Sequence, residues 1–309
     1  MKTQANAMHE LRPESRAAAP AEIPWTRRIY WSVLRELWEY RSIYVAPLIA
    51  AGVVMLGFLI SLITLPHRLR AVSDLAKQRE MLEQPYQVAA GVIMVIAFIV
   101  GVFYSIEAMQ SERRDRSILF WKSLPVSDLE TVLAKASIPI VVLPLIAFLI
   151  LVGTQWVMLL VNTAVLVGSG QGATTLWSLP LFQRALMWLY HMLTVHGLWY
   201  APFYGWLFLV SAWARRAAIV WALLPPVAIG VVEKIAFGTS HFAHFMGERA
   251  MGGPAGGDPF VMPGSVSMDL MAHLTPGRFF ISPGLWIGFA VAAALLAAAV
   301  RLRRYQGPM

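Results

Sequence analysis

Cysteine is absent from the 309 residues, which excludes disulfides, thiolate metal ligands and cysteine nucleophiles and leaves the compartment open. Charge is scarce: 14% of the chain is Asp, Glu, Lys or Arg, against about 25% in soluble domains. The motifs G-x-x-x-x-G-K-[ST], G-x-S-x-G and H-E-x-x-H do not occur, and no apolar run contains Asp. Nucleotide hydrolysis and intramembrane proteolysis therefore have no recognisable machinery here. The nearest glycine-rich piece, Gly168 to Gly172, lacks the lysine that a phosphate cradle needs. Met1 to Pro24 holds no apolar core of the kind a secretory signal peptide places near its start.

What is abundant is apolar surface. The chain is 58% hydrophobic, contains twelve Trp and has a mean hydropathy of +0.61, so a bilayer is the expected solvent. Runs of about 20 residues able to cross a hydrocarbon core about 30 Å thick occur at Tyr44–Leu65, Val88–Ile106, Ile138–Val161, Leu186–Ala212, Ala217–Val232 and Pro283–Val300. The fourth is interrupted by His191, His196 and Pro202, and the fifth by Pro225 and Pro226. The runs are continuously apolar, without the alternation of a transmembrane barrel. The expected fold class is an all-α polytopic membrane protein with six transmembrane helices in one domain, 44–300.

Cytoplasmic connections are enriched in Lys and Arg. Seventeen of the 25 lie in the N-terminal segment, the second-to-third connection, Ala214–Arg216 and the tail 301–309; eight lie in the other three connections. Both termini are thus expected inside. The net charge of +8 sits mostly beside membrane ends, where anionic lipid neutralises it, and requires no nucleic acid.

Residues 1–23 are rich in Ala, Pro and charge and read as a disordered cytoplasmic segment. Over 24–43, Trp25, Ile29, Val33 and Leu37 recur every four residues beside Tyr30, Leu34 and Trp38, with Arg27, Arg28, Arg35, Glu36 and Glu39 on much of the opposite face. That is the pattern of an amphipathic helix lying in a membrane interface, or one packed on a soluble partner. The outer connection 66–85 carries helical spacing of its own. The longest connection, 233–282, has a Gly- and Pro-dense middle between apolar pieces too short to span.

Ser111 to Lys135 holds nine charged residues in twenty-five. Ile118, Leu119, Phe120, Trp121, Leu124 and Val126 are interleaved with the charge, a mixture typical of protein interfaces. Ser127 and Glu130 form a capping-box pair after Pro125, so a bent helical elbow over 107–135 is expected to project from the membrane. The run from Glu107 to Lys135, with its E-R-R-D-R stretch, S-L-P-V-S turn and following helix, resembles the signature region of the ABC-2 type permeases, the membrane subunits of type II ABC exporters. The resemblance implies a transport subunit without a nucleotide site or cofactor of its own. ATP and Mg would be bound by a separate ATPase subunit that docks on the elbow and the N-terminal helix. It also implies a permease dimer in a bacterial-type inner membrane. The expected contact comprises Arg113, Arg114, Asp115, Arg116, Phe120, Trp121 and Lys122; a lipid-facing basic cluster is the competing reading. An ATP-independent channel or scaffold shares the hydropathy without needing the elbow.

Among other candidates, Pro139, Pro144, Pro202, Pro225 and Pro226 bend helices and either shape a pathway or are packing kinks. His241 and His244, with Glu248 and His273, sit in one connection but lack a recognised metal spacing, and interfacial hydrogen bonding is the favoured reading. His191 and His196 are five apart, which on an α-helix turns them about 140° away from each other. Glu107 and the Glu233–Lys234 pair are expected in local ion pairs near an interface.

Overall fold

The computed structural model describes residues 24–118, 126–170, 172–251 and 276–305. Among them there is no strand. The expected disordered segment 1–23 and the middle of the last connection lie outside these residues, as do Phe120, Trp121 and Lys122.

Helix α1 (Trp25–Glu39) precedes α2 (Ser42–Ala71) and α3 (Leu75–Glu107). The last two are joined by three residues, so the helical spacing read in the first connection belongs to extensions of the membrane helices. Asp74 starts α3 by accepting the Ala76 N–H at 2.9 Å. Leu65, Leu69, Leu82 and Tyr86 are buried where the extensions meet. After α3 the chain bends at Ala108–Met109 into the short α4 (Gln110–Arg114).

Helix α5 (Asp128–Ser137) begins with the expected capping box: Ser127 Oγ accepts the Glu130 N–H at 3.1 Å and Glu130 accepts the Ser127 N–H at 3.0 Å. A π-helical turn, Ile138–Val142, contains Pro139 and leads into α6 (Leu143–Gly168), which has Pro144 in its first turn. A single turn, α7 (Thr174–Trp177), precedes α8 (Leu181–His191).

The expected fourth span is not one α-helix. α8 passes into a π-helical segment, Met192–Trp199, then a turn at Tyr200, and only then α9 (Ala201–Trp213). Pro202, which has no N–H to give to the preceding turn, follows that break. The two π segments face each other, and Gly197 allows it: a Cβ there would stand 3.0 Å from the Ile140 carbonyl oxygen.

Helix α10 (Ala218–Phe237) keeps Pro225 and Pro226 inside a continuous helix and buries only Ala218 and Ala222. It is followed by α11 (His241–Met251), α12 (Pro276–Ile281) and α13 (Pro283–Tyr305). Among the described residues, five helical stretches are long and apolar enough to cross a membrane: Ser42–Ala71, Leu75–Arg114, Asp128–Gly168, Ala218–Phe237 and Pro283–Tyr305. The chain is thus a multi-pass helical membrane protein by length and composition. The largest core cluster joins α3, α6, α9 and α13 around Ile93, Tyr104, Leu143, Phe208 and Leu285.

Candidate functional site

The densest polar structure lies where α1, the elbow, α5 and the end of α13 meet. Glu36 (α1), Glu112 (α4), Lys135 (α5) and Arg303 (α13) are all buried. Lys135 Nζ donates to Glu36 Oε1 at 2.8 Å and Oε2 at 3.0 Å, and lies 3.1 Å from Glu112 Oε1. Arg35 pairs with Glu36 and reaches Glu112 Oε1 at 3.3 Å. Arg303 pairs with Glu112 Oε2 through Nη1 and with Asp128 Oδ1 through Nε at 3.1 Å. Tyr104 OH donates to Glu36 Oε2 at 2.8 Å, and Tyr40 OH bonds with Ser111 Oγ. All four carboxylate oxygens of Glu36 and Glu112 are therefore satisfied; Glu36, Glu112 and Asp128 face Arg35, Lys135 and Arg303, and the more exposed Glu39 stands 3.9 Å from Arg35 Nε at the edge.

Local sequence explains how each charge arrives. Glu36 shares a helix face with Val33, Leu37 and Tyr40, which pack on the core, so the carboxylate is carried inward with them. Burial by itself would raise its pKa, but the Lys135 ammonium and the Arg35 guanidinium outweigh that and hold it below the ordinary carboxylate value. Lys135 lies two turns into the capped α5, and Arg303 in the last turn of α13.

A second joint ties the elbow to α9. Ser211 Oγ accepts the N–H groups of Met109 at 3.0 Å and Gln110 at 3.2 Å, where α3 gives way to α4. Arg113 donates to the Ser211 and Ala214 carbonyls at 2.9 and 2.7 Å, satisfying acceptors that the end of α9 leaves open. Arg113, expected on the contact surface, is thus buried inside the chain. Arg114, Asp115 and Arg116 are exposed, with Arg116 in the left-handed region at φ 57°.

On α1, Trp25, Arg27 and Trp38 are exposed, Arg28 pairs with Glu130 at 3.0 Å, and Arg35 joins the hub. Glu36, expected on the outward charged face, is instead fully buried, because the protein side of this helix is polar at its centre. The aromatic side, with Trp25, Tyr30, Trp31 and Trp38, faces away.

His191 and His196 are brought together, contrary to the α-helical expectation. The intervening π segment closes i to i+5, and the rings stand 5.4 Å apart, edge to face, beside Phe98 and Tyr200. Among the described residues Glu233 forms no ion pair. It accepts Thr239 Oγ1 at 2.8 Å and the N–H groups of His241 and Phe242 at 2.6 and 2.8 Å, so it caps α11. Glu107 is exposed at the end of α3. Among the described residues no group of three or more His, Asp or Glu converges as a metal site; His241 and His244 are exposed, and His273 lies outside the described residues.

Sequence reasoning missed the hub because its members are far apart in the chain. Glu112 and Lys135 stood in the charged stretch, but Glu36 and Arg303 were read as surface charge. The usable signal for Glu36 was its place three residues after Val33 and four before Tyr40. A scan against protein-family models and searches of curated proteins and solved structures find no match for the chain.

Proposed function

We propose that this chain is the permease subunit of an ATP-driven exporter of the ABC-2 type, coupling ATP hydrolysis by a separate subunit to movement of its own helices. The broken helix 181–213 is the fourth of six spans, both termini are cytoplasmic, and the permease pairs with itself or a relative beside two ATPase subunits in the inner membrane. α1 rests in the interface with its aromatic side toward lipid.

The observation that carries the reading is the wiring of the elbow. Its exposed tip, Arg114 to Arg116, is anchored by Arg113 to α9 and by Glu112 to α1, α5 and α13. A push on the tip reaches four helices through buried charge-assisted bonds and not through a loose loop. A coupling element between an outside motor and a bundle needs that rigidity; a plain solvated hairpin has no use for it. Binding of ATP would then favour one arrangement of the bundle by the difference in its affinity for the two.

Charge reversal at Arg114 and Arg116 combined with Trp121→Ala is expected to lower co-purification of an ATPase subunit about thirty-fold, the loss of a hot spot of about 2 kcal/mol, with little change in thermal stability. Undiminished complex formation would remove the coupling role from the elbow.

A further inference from the structure

The hub balances its charges; one buried cation elsewhere does not. Arg249, in α11, has 7% of its surface exposed, and no carboxylate pairs with it among the described residues. Its backbone carbonyl accepts the Trp199 indole N–H at 3.0 Å, and its guanidinium lies 3.9 Å over the Trp199 ring. Nη1 donates to the Gly284 carbonyl at 2.8 Å, while Nη2 is buried with no acceptor. On the remaining side is Gly288, where any Cβ would overlap the guanidinium.

The burial of this residue makes the missing partner costly. α11 turns back from the end of α10, its first turn held by Glu233, and sets Arg249 between Trp199, at the end of the π segment, and the first two turns of α13. Along α13, Gly288 is about 20 Å from Arg301, at 1.5 Å per residue. The contacts with Gly284 and Gly288 lie in the first two turns of α13, so where that helix crosses a core about 30 Å thick the guanidinium stands in the outer part of it, about 7 Å from the helix start. An ionised side chain buried there is expensive unless paired and marks a ligand pathway by default. Here the planar fork is held by an indole face, a carbonyl and a bare glycine, with one edge unspent. A guanidinium so fixed is suited to an oxyanion, which it meets with two parallel N–H bonds.

We propose that Arg249 is a recognition residue for the phosphate or carboxylate head of an amphipathic molecule, bound where α11 meets Trp199 and the start of α13. As a cargo site it rests on the export reading; as a binding site it does not. Trp199 orients the guanidinium, and the exposed apolar side chains of α13 beside Gly288, Trp286, Ile287 and Val291, offer a surface for the tail.

The test uses the full chain in a neutral-headgroup detergent, titrated calorimetrically with dodecyl phosphate, with dodecyl glucoside and inorganic phosphate as separate arms and no ATPase present. Dodecyl phosphate is expected to saturate, the glucoside not to bind, and Arg249→Gln to weaken the phosphate amphiphile about ten- to hundred-fold, the loss of one charge-assisted hydrogen-bonded group. Arg249→Lys, which keeps charge and loses the fork, should fall between. Arg249→Gln removes a charge that no carboxylate pairs among the described residues, so its melting temperature without ligand should not fall; Gly288→Ala, which displaces the guanidinium, should weaken binding in the same way. Inorganic phosphate binding as tightly as dodecyl phosphate would keep the oxyanion site and make its source a soluble anion. Equal binding of dodecyl phosphate to wild type and Arg249→Gln, or no saturable binding to either, overturns the proposal while leaving the ATPase contact at the elbow untouched.

Discussion

Lys135 is a fully buried cation that Glu36 and Glu112 share, and without it two carboxylates face one another with only the two arginines to hold them. Buried pairs contribute little over an apolar substitute, but breaking one leaves an uncompensated charge at a cost of about 3–5 kcal/mol. Lys135→Met is expected to destabilise by that amount, read as thermal or denaturant unfolding in detergent. The partly exposed Arg28–Glu130 pair is worth at most about 1 kcal/mol by the same reading, because solvent screens it. Glu36 also sets a direction for pH. Its folded pKa is below the ordinary value of 4.5, so its contribution is complete above that pH and is lost as pH falls through the lower folded value. A melting curve followed from pH 7 to pH 3 should fall on the acid side, and Glu36→Gln should flatten that fall while starting less stable. A fall equally steep in Glu36→Gln would assign it to other carboxylates.

At the scale of elements, the two π segments matter most. Gly197 lets the chain between α8 and α9 meet the Ile140 carbonyl, and neither backbone has a flexible end that could yield. Gly197→Ala is therefore expected to cost about 1–3 kcal/mol, as overpacking does, and to raise hydrogen exchange across 192–200. Unchanged exchange there would mean that the π segments tolerate separation. These segments also show what a sequence can and cannot convey. The apolar runs that became α2, α3, α6, α10 and α13 were legible because hydropathy is a sum over neighbours. The capping box at Ser127 was legible because its donors and acceptors are three residues apart. The break at Tyr200 was only hinted at by Pro202, and the pairing of His191 with His196 was misread, since the period of a helix is assumed when faces are assigned. Glu36 was misread for a related reason: its hydropathy says surface, and only contacts with Lys135 and Arg35, one of them 99 residues away, say otherwise.

Across the whole molecule, charge is arranged with a purpose that composition hides. A chain with so few charged residues gathers six of them, Arg35, Glu36, Glu112, Asp128, Lys135 and Arg303, into one cluster that ties the helix at its start to the helix at its end. The elbow tip, Arg114 to Arg116, faces outward from that assembly. If it is where another protein's ATP cycle enters, its side chains touch that protein. The lack of cysteine makes the question direct: Arg116→Cys would carry the only thiol in the chain. Treated with a short thiol-to-amine crosslinker in membranes that contain the assembled transporter, this variant is predicted to give one new species, the permease joined to an ATPase subunit, suppressed by reversal of Arg114. A thiol at 116 that labels freely with a soluble reagent and joins no ATPase would contradict the account.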